Sequence, residues 1–229
     1  MSEWWTYRPS DFLMFAPRTY WRLFELHNEA WWPAQPLLVL AGLLWMAWAR
    51  QRAPVALRVG AAGLAAAWAF VALAFLLPRY APINWAAPTL ASVFILQALG
   101  LATLATRSDL HTVPAGWRWR TGALLGGWAL LGHPLLAPVL GRPWLQAEFF
   151  GMAPDPGAIA TLGFLLCLSG PSRFTRWLLR LHWALTLAWC ALGTATLWTM
   201  GSAQAWVLLA AMLAALLAAL VAARRPSGG

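Results

Sequence analysis

Apolar residues in this chain come in long runs, separated by short polar stretches that hold most of the charge. Seven such segments fall near residues 31–49, 59–77, 86–106, 121–140, 157–170, 181–200 and 205–223. At about 1.5 Å per residue, a helix of about 20 residues crosses a hydrocarbon layer of about 30 Å. Six of the seven are long enough, and predict membrane-spanning helices. The fifth has 14 residues, from Gly157 to Gly170, and covers only about 21 Å. It is expected to sit in a thinned region, to extend through its flanks, or to be a half-helix. The last segment is almost pure Ala and Leu, the composition of a packing or lipid-facing helix.

Ahead of these segments, residues 1–30 mix aromatic and charged positions. Ser10 and Asp11 predict the cap of one short helix, and Pro17 fits the first turn of another. Tyr20, Phe24, His27 and Trp31 then recur at helical spacing, with Arg18, Arg22, Glu25 and Glu29 elsewhere around the helix. The pattern predicts an interfacial amphipathic helix lying against a bilayer. The expected fold class is therefore all-α: a polytopic transmembrane bundle of about seven spans with an N-terminal interfacial helix. Its expected divisions are residues 1–30, a single bundle over 31–223, and a short cytoplasmic tail over 224–229.

Composition agrees with this reading. Of the 229 residues 61% are hydrophobic and 10% charged, where a soluble fold carries roughly 25% charged residues. All 16 basic residues are arginine. Without lysine there is no Schiff base to retinal, pyridoxal phosphate or a carbonyl substrate, and no phosphate-binding Gly-x-x-x-x-Gly-Lys loop. Light-driven and ATP-driven pumping by this chain alone are excluded. The net charge of +9 is spread over short loops rather than gathered in a stripe, so nucleic acid is not an expected partner. No secretory signal peptide is recognisable, and the mature chain is expected to begin at Met1. No cofactor and no metal is expected. Cys167 and Cys190 lie in apolar runs as inert thiols, at depths that disfavour a disulfide.

The arginines orient the chain. With seven crossings, the loops near 50–58, 107–120 and 171–180 and the C-terminal tail share one side and carry 11 arginines, against 5 on the other. That second side holds six of the seven acidic residues. The positive-inside pattern predicts an outside N-terminus and a cytoplasmic C-terminus in a bacterial inner membrane. A re-entrant fifth segment would move Arg173, Arg176 and Arg180 across and abolish the bias. The 18 tryptophans fall mostly at predicted membrane edges, as an aromatic belt.

Polar groups at membrane depth are the functional candidates, because each is costly unless paired or used. Gln97 and His133 lie near the centres of the third and fourth segments and are expected to meet there. Pro134 and Pro138 kink the fourth segment and free carbonyls. Gln97, His133 and Thr161 could then line a proton or solute path; a neutral His133 bonding a freed carbonyl is the structural alternative. His182 reads as one or two residues from the inner edge, too far in depth from His133 for both to ligate one haem. On the outer face, Glu25, Asn28, Glu29, Glu148 and Asp155 read either as an acidic vestibule for cations or amines, or as solvated acids with Asp155 an N-cap and Pro156 the first helical residue. Gly122 and Gly126 form a Gly-x-x-x-Gly motif, a weak signal for helix association within the bundle or in a homodimer. No nucleophile with its base is found, so an enzyme is the least expected class.

One further pattern is Trp5-Thr6-Tyr7, Ser10-Asp11-Phe12-Leu13, Phe15, Tyr20, Asn28 and Trp32-Pro33, followed by Pro154-Asp155-Pro156 ahead of Ile159, Thr161 and Gly163. It resembles a family of small bacterial membrane proteins catalogued as domain of unknown function 6064, some of which are automatically labelled permease. The resemblance rests on Trp5, Tyr7, Asp11, Phe12, Tyr20, Asn28, Pro154 and Pro156, and implies a polytopic fold without assigning substrate or catalytic residues. Relatives often carry Pro-Cys-Pro where this chain has Asp155, which puts a thiol or soft-metal role there in doubt. Two functions are expected: a small gradient-driven permease for a small solute or ion, or a non-catalytic subunit or scaffold of a larger membrane complex. The expected partners are the lipid bilayer and either a second copy or that complex; the substrate stays open.

Overall fold

A computed structural model describes residues 13–51 and 53–224, without the side chains of the last two. Within these the chain is mainly helical. The helices are α1 (Pro17–Ala30), α2 (Ala34–Ala49), α3 (Pro54–Tyr80), α4 (Ala87–Ala105), α5 (Trp117–Val139), α6 (Pro154–Leu166), α7 (Arg173–Thr199) and α8 (Ala205–Arg224). Of these, α3, α4, α5 and α8 are each long and apolar enough to cross a membrane, and α1 with α2 would add a fifth candidate bent by 84°. Each expected segment holds a helix, but α7 starts eight residues earlier than hydropathy places it. Ser172 caps it by accepting from the Thr175 amide, so three arginines that dilute the apolar signal still lie on a well-started helix.

Two helices widen into π-helical turns, at Val71–Tyr80 in α3 and Trp128–Gly132 in α5. Both lie beside prolines, Pro78 in one and Pro134 and Pro138 in the other. A proline lacks the amide for the preceding turn and crowds its carbonyl, so the helix loosens there.

α6 is the axis of the bundle. Every residue from Pro154 to Leu166 is buried except Ala160, which is partly so, and α3, α5, α7 and α8 pack around it. A helix apolar on all sides is stable only when enclosed. Close approach comes from glycine: a Cβ on Gly122 would stand 2.5 Å from the Gly163 carbonyl, and a Cβ on Gly163 2.5 Å from that of Gly122. The Gly-x-x-x-Gly motif thus packs α5 on α6 inside the bundle.

At one end of the bundle, β1 (His111–Thr112) pairs antiparallel with β2 (Leu168–Ser169), and Arg118 donates to the carbonyls of Leu165 and Leu168 at the C-terminus of α6. Arg107 and Thr175 bond Asp109 there. Hydrogen bonds from Ser172, then Thr175 and Arg107, hold the Asp109 carboxyl well below its usual range. The opposite end gathers α1, the segment 140–153 and the α7–α8 turn.

α1 is amphipathic as expected, burying Tyr20, Trp21, Leu23, Phe24, His27 and Asn28. Its apolar face, however, lies on protein rather than on lipid. Phe24 stacks on Phe75, and Tyr20 meets Phe15 and Tyr80. Trp31, expected on the same face, is 44% exposed. Of the exposed tryptophans among the described residues, Trp31, Trp32, Trp85, Trp117, Trp144, Trp177, Trp198 and Trp206 stand near helix ends, while Trp128 is mid-way along α5.

Candidate functional site

The three residues expected to share a path, Gln97, His133 and Thr161, are all buried, yet they belong to three separate hydrogen-bonded sets. Gln97 donates to Thr186 at 2.9 Å, and its oxygen lies 2.9 Å from His182 Nδ1. Because α7 begins at Arg173, His182 lies nine residues into the helix rather than at its edge, deep enough to reach Gln97. Thr161 donates to the Gly157 carbonyl and accepts from Trp68. The rings of Trp68, Phe94 and Trp189 then run edge-to-face across the interior, with centroids 4.3 and 4.8 Å apart. At the far end of that row Trp189 Nε1 donates to Asp155 at 3.0 Å.

His133 meets residues that spacing did not connect to it. Its Nε2 lies 2.9 Å from Glu148 Oε2. Gln204, in the turn before α8, donates to the same carboxylate oxygen at 2.8 Å. Arg142 in turn donates to Gln204 Oε1 at 2.5 Å, with its guanidinium stacked 3.5 Å above the Trp21 ring. The chain Arg142–Gln204–Glu148–His133 thus ties α1, α5, the segment before α6 and the start of α8 at one point.

The expected acidic vestibule divides by burial. Glu29 is exposed; Glu25 is half-buried, paired with Arg22 and accepting from Gln146. Asn28 is buried and donates to the carbonyls of Leu145 and Ala147. Glu148 and Asp155 are only 2% and 1% exposed, so neither is a solvated acid. Asp155 is not the N-cap either: α6 starts at Pro154 behind Ala153, without a side-chain cap, and the Asp155 carboxylate turns to Trp189. Pro154 and Pro156 both lie in the first turn, where a missing amide is no loss. Glu148 Oε1, Asp155 Oδ2 and His133 Nδ1 are buried without a protein partner, and the two carboxylates are within electrostatic reach of each other and of Tyr20. The site therefore holds two acids, one imidazole and one clamped arginine in a largely apolar enclosure, where unpaired charge is costly. No group of three potential metal ligands occurs among the described residues.

Another imidazole is buried on α1. His27 Nδ1 accepts from Arg79 Nε at 3.2 Å, and burial, then the Arg79 charge, lowers its pKa to about 4. It is neutral at physiological pH.

Sequence reasoning grouped Glu148 with Asp155 but placed His133 with Gln97 and Thr161, and missed Gln204, Arg142, Trp189, His182 and Thr186 as members of polar sets. The available signal was Gln204, a polar residue at the mouth of an apolar helix. Of the family-like residues, Tyr20, Asn28, Pro154 and Pro156 are buried around the site, while Trp5, Tyr7, Asp11 and Phe12 lie outside the described residues. Residues 18–228 match the family of unknown function DUF6064. The chain belongs to that family. No curated protein and no solved structure matches it.

Proposed function

We propose that this chain is a multi-pass protein of a bacterial inner membrane, N-terminus outside, whose seven helical passes α2 to α8 form a small gradient-driven permease for a cation or amine. The observation that carries the reading is the burial of Glu148 and Asp155 at one end of the bundle, each with one unpartnered oxygen. Ionisable groups at membrane depth are expensive and mark ion or proton pathways. Glu148 with His133 is the proton-exchanging pair, Asp155 the second acid, and Arg142 through Gln204 the clamp that orients Glu148. Arginine bias supports the orientation, and the exposed apolar residues of α2, α5 and α8 support a lipid setting. In this role the chain performs no covalent chemistry.

The test is reconstitution into liposomes holding a pH dye, with an imposed proton gradient and external sodium, potassium or methylammonium. One of these is expected to speed gradient collapse at least tenfold over empty liposomes, with the effect lost in Glu148→Gln and Asp155→Asn variants that still fold. Wild-type behaviour equal to empty liposomes with all three would overturn the reading. A second reading, a non-catalytic subunit or scaffold, is favoured by the filled interior around α6. It predicts no flux and a stoichiometric membrane partner on gentle purification.

A further inference from the structure

A cleft of about 780 Å³ opens sideways between α1, the first half of α2 and the outer half of α5, within the roughly 300–1,000 Å³ range of small-molecule sites. It exists because α2 is held at few points: Gln35 is its one buried residue. Lower down, Gly42 lets the helix close on Leu130, whose Cδ2 would stand 2.5 Å from an added Cβ. Most of the lining is apolar, including Val39, Leu131 and Leu135, and the polar residues sit at one end with Trp32 and Trp144.

Those polar residues offer acceptors and no spare donors. Asn28 Nδ2 spends both hydrogens on the carbonyls of Leu145 and Ala147. Gln35 Nε2 spends its own on the carbonyl and side-chain oxygen of Asn28. What is left is Gln35 Oε1, on a side chain only 3% exposed and without a partner, and the exposed carboxylate of Glu29. A buried acceptor left unmatched is costly, and this one belongs to a residue in the wall of the cleft, just beneath its surface. The complementary group is a cation with several hydrogens to donate, carried on an apolar body.

We propose that this cleft binds a phospholipid with a primary ammonium headgroup, drawn from the surrounding bilayer. The ammonium donates to Gln35 Oε1 and pairs with Glu29, while one acyl chain lies along Leu131 and Leu135. A trimethylated headgroup keeps the charge but has no hydrogen to donate, and an anionic headgroup meets Glu29 as a like charge. The proposal needs the membrane setting but not transport, so either can fail without the other.

The test is native mass spectrometry of the whole protein after exchange into nanodiscs of equal parts phosphatidylethanolamine, phosphatidylcholine and phosphatidylglycerol. Wild type is expected to retain one phosphatidylethanolamine at least tenfold over either competitor. Gln35→Leu also breaks the bonds to Asn28, so two variants that leave them in place decide the matter. Glu29→Gln, at an exposed position, is expected to reduce the preference severalfold; Leu131→Trp, filling the apolar end, is expected to abolish retention with unchanged thermal stability. Equal retention of all three lipids, or a second copy or another polypeptide seated in the cleft, would overturn the proposal.

Discussion

At the residue scale, the interior polar groups differ in how completely they are matched, and that governs what each substitution does. Trp189 donates to Asp155 inside the bundle. Asp155→Asn keeps an acceptor and is expected to keep the fold, whereas Asp155→Leu leaves a buried indole N–H unpaired, at a cost of about 1–3 kcal/mol. Thermal unfolding in detergent of the two variants checks this, the leucine variant melting lower. His27 supplies a pH dependence. Its pKa is about 4 in the fold, against about 6.5 in an unfolded chain. The unfolded state therefore binds the proton more tightly, and the contribution of neutral His27 is complete above about pH 6.5 and fades as pH falls towards 4. The difference amounts to about 3 kcal/mol at most. Stability of wild type should fall across that window more steeply than that of His27→Gln, and parallel curves would remove His27 as the cause.

At the element scale, the α5–α6 crossing depends on the absence of side chains. Gly163→Leu would drive a side chain into the Gly122 carbonyl and the Gly126 amide. Overpacking of this kind costs about 1–3 kcal/mol and often more. Gly127, one position past the motif, has open space where a Cβ would go, so Gly127→Ala is expected to be neutral or slightly stabilising. Comparing the folded yields of the two variants separates packing from general intolerance to change in α5. The ends of these elements were largely legible, because apolar run length and proline position are local properties. α7 departs most, since its first two turns carry arginines and only the Ser172 cap marks the start; α3 also starts five residues earlier than expected and α6 stops four residues sooner. The interfacial character given to α1 was half right. Helical periodicity identifies an apolar face, but a protein surface and a lipid surface satisfy that face equally well.

At the scale of the whole molecule, the proposed topology makes reporter fusions decisive. Fusions after Asp109 and Pro171 should report a cytoplasmic site, and fusions after Asn84, Arg142 and Ala203 an external one. A cytoplasmic reading at Ala203 together with an external one at Pro171 would show that α6 returns to the side it came from. Run lengths, the arginine distribution and the all-α class follow from the sequence alone, because each depends on residues close together in the chain. Which polar groups meet does not. Gln97 could have faced His133, His182 or neither, since a helix presents its side chains all around and hydropathy carries no rotational phase. The prolines and π-turns of α5 shift that phase further. Only the packing of α3, α5, α7 and α8 around the central α6, with α4 against α3 and α7, brings Glu148 to His133 and Gln204 while leaving Gln97 to His182 and Thr161 to Trp68. The acids show the same division. Sequence placed Glu148 and Asp155 at one end of the bundle, and tertiary structure decided that they are buried there, because the segment between α5 and α6 folds inward beneath α1 instead of out into solvent.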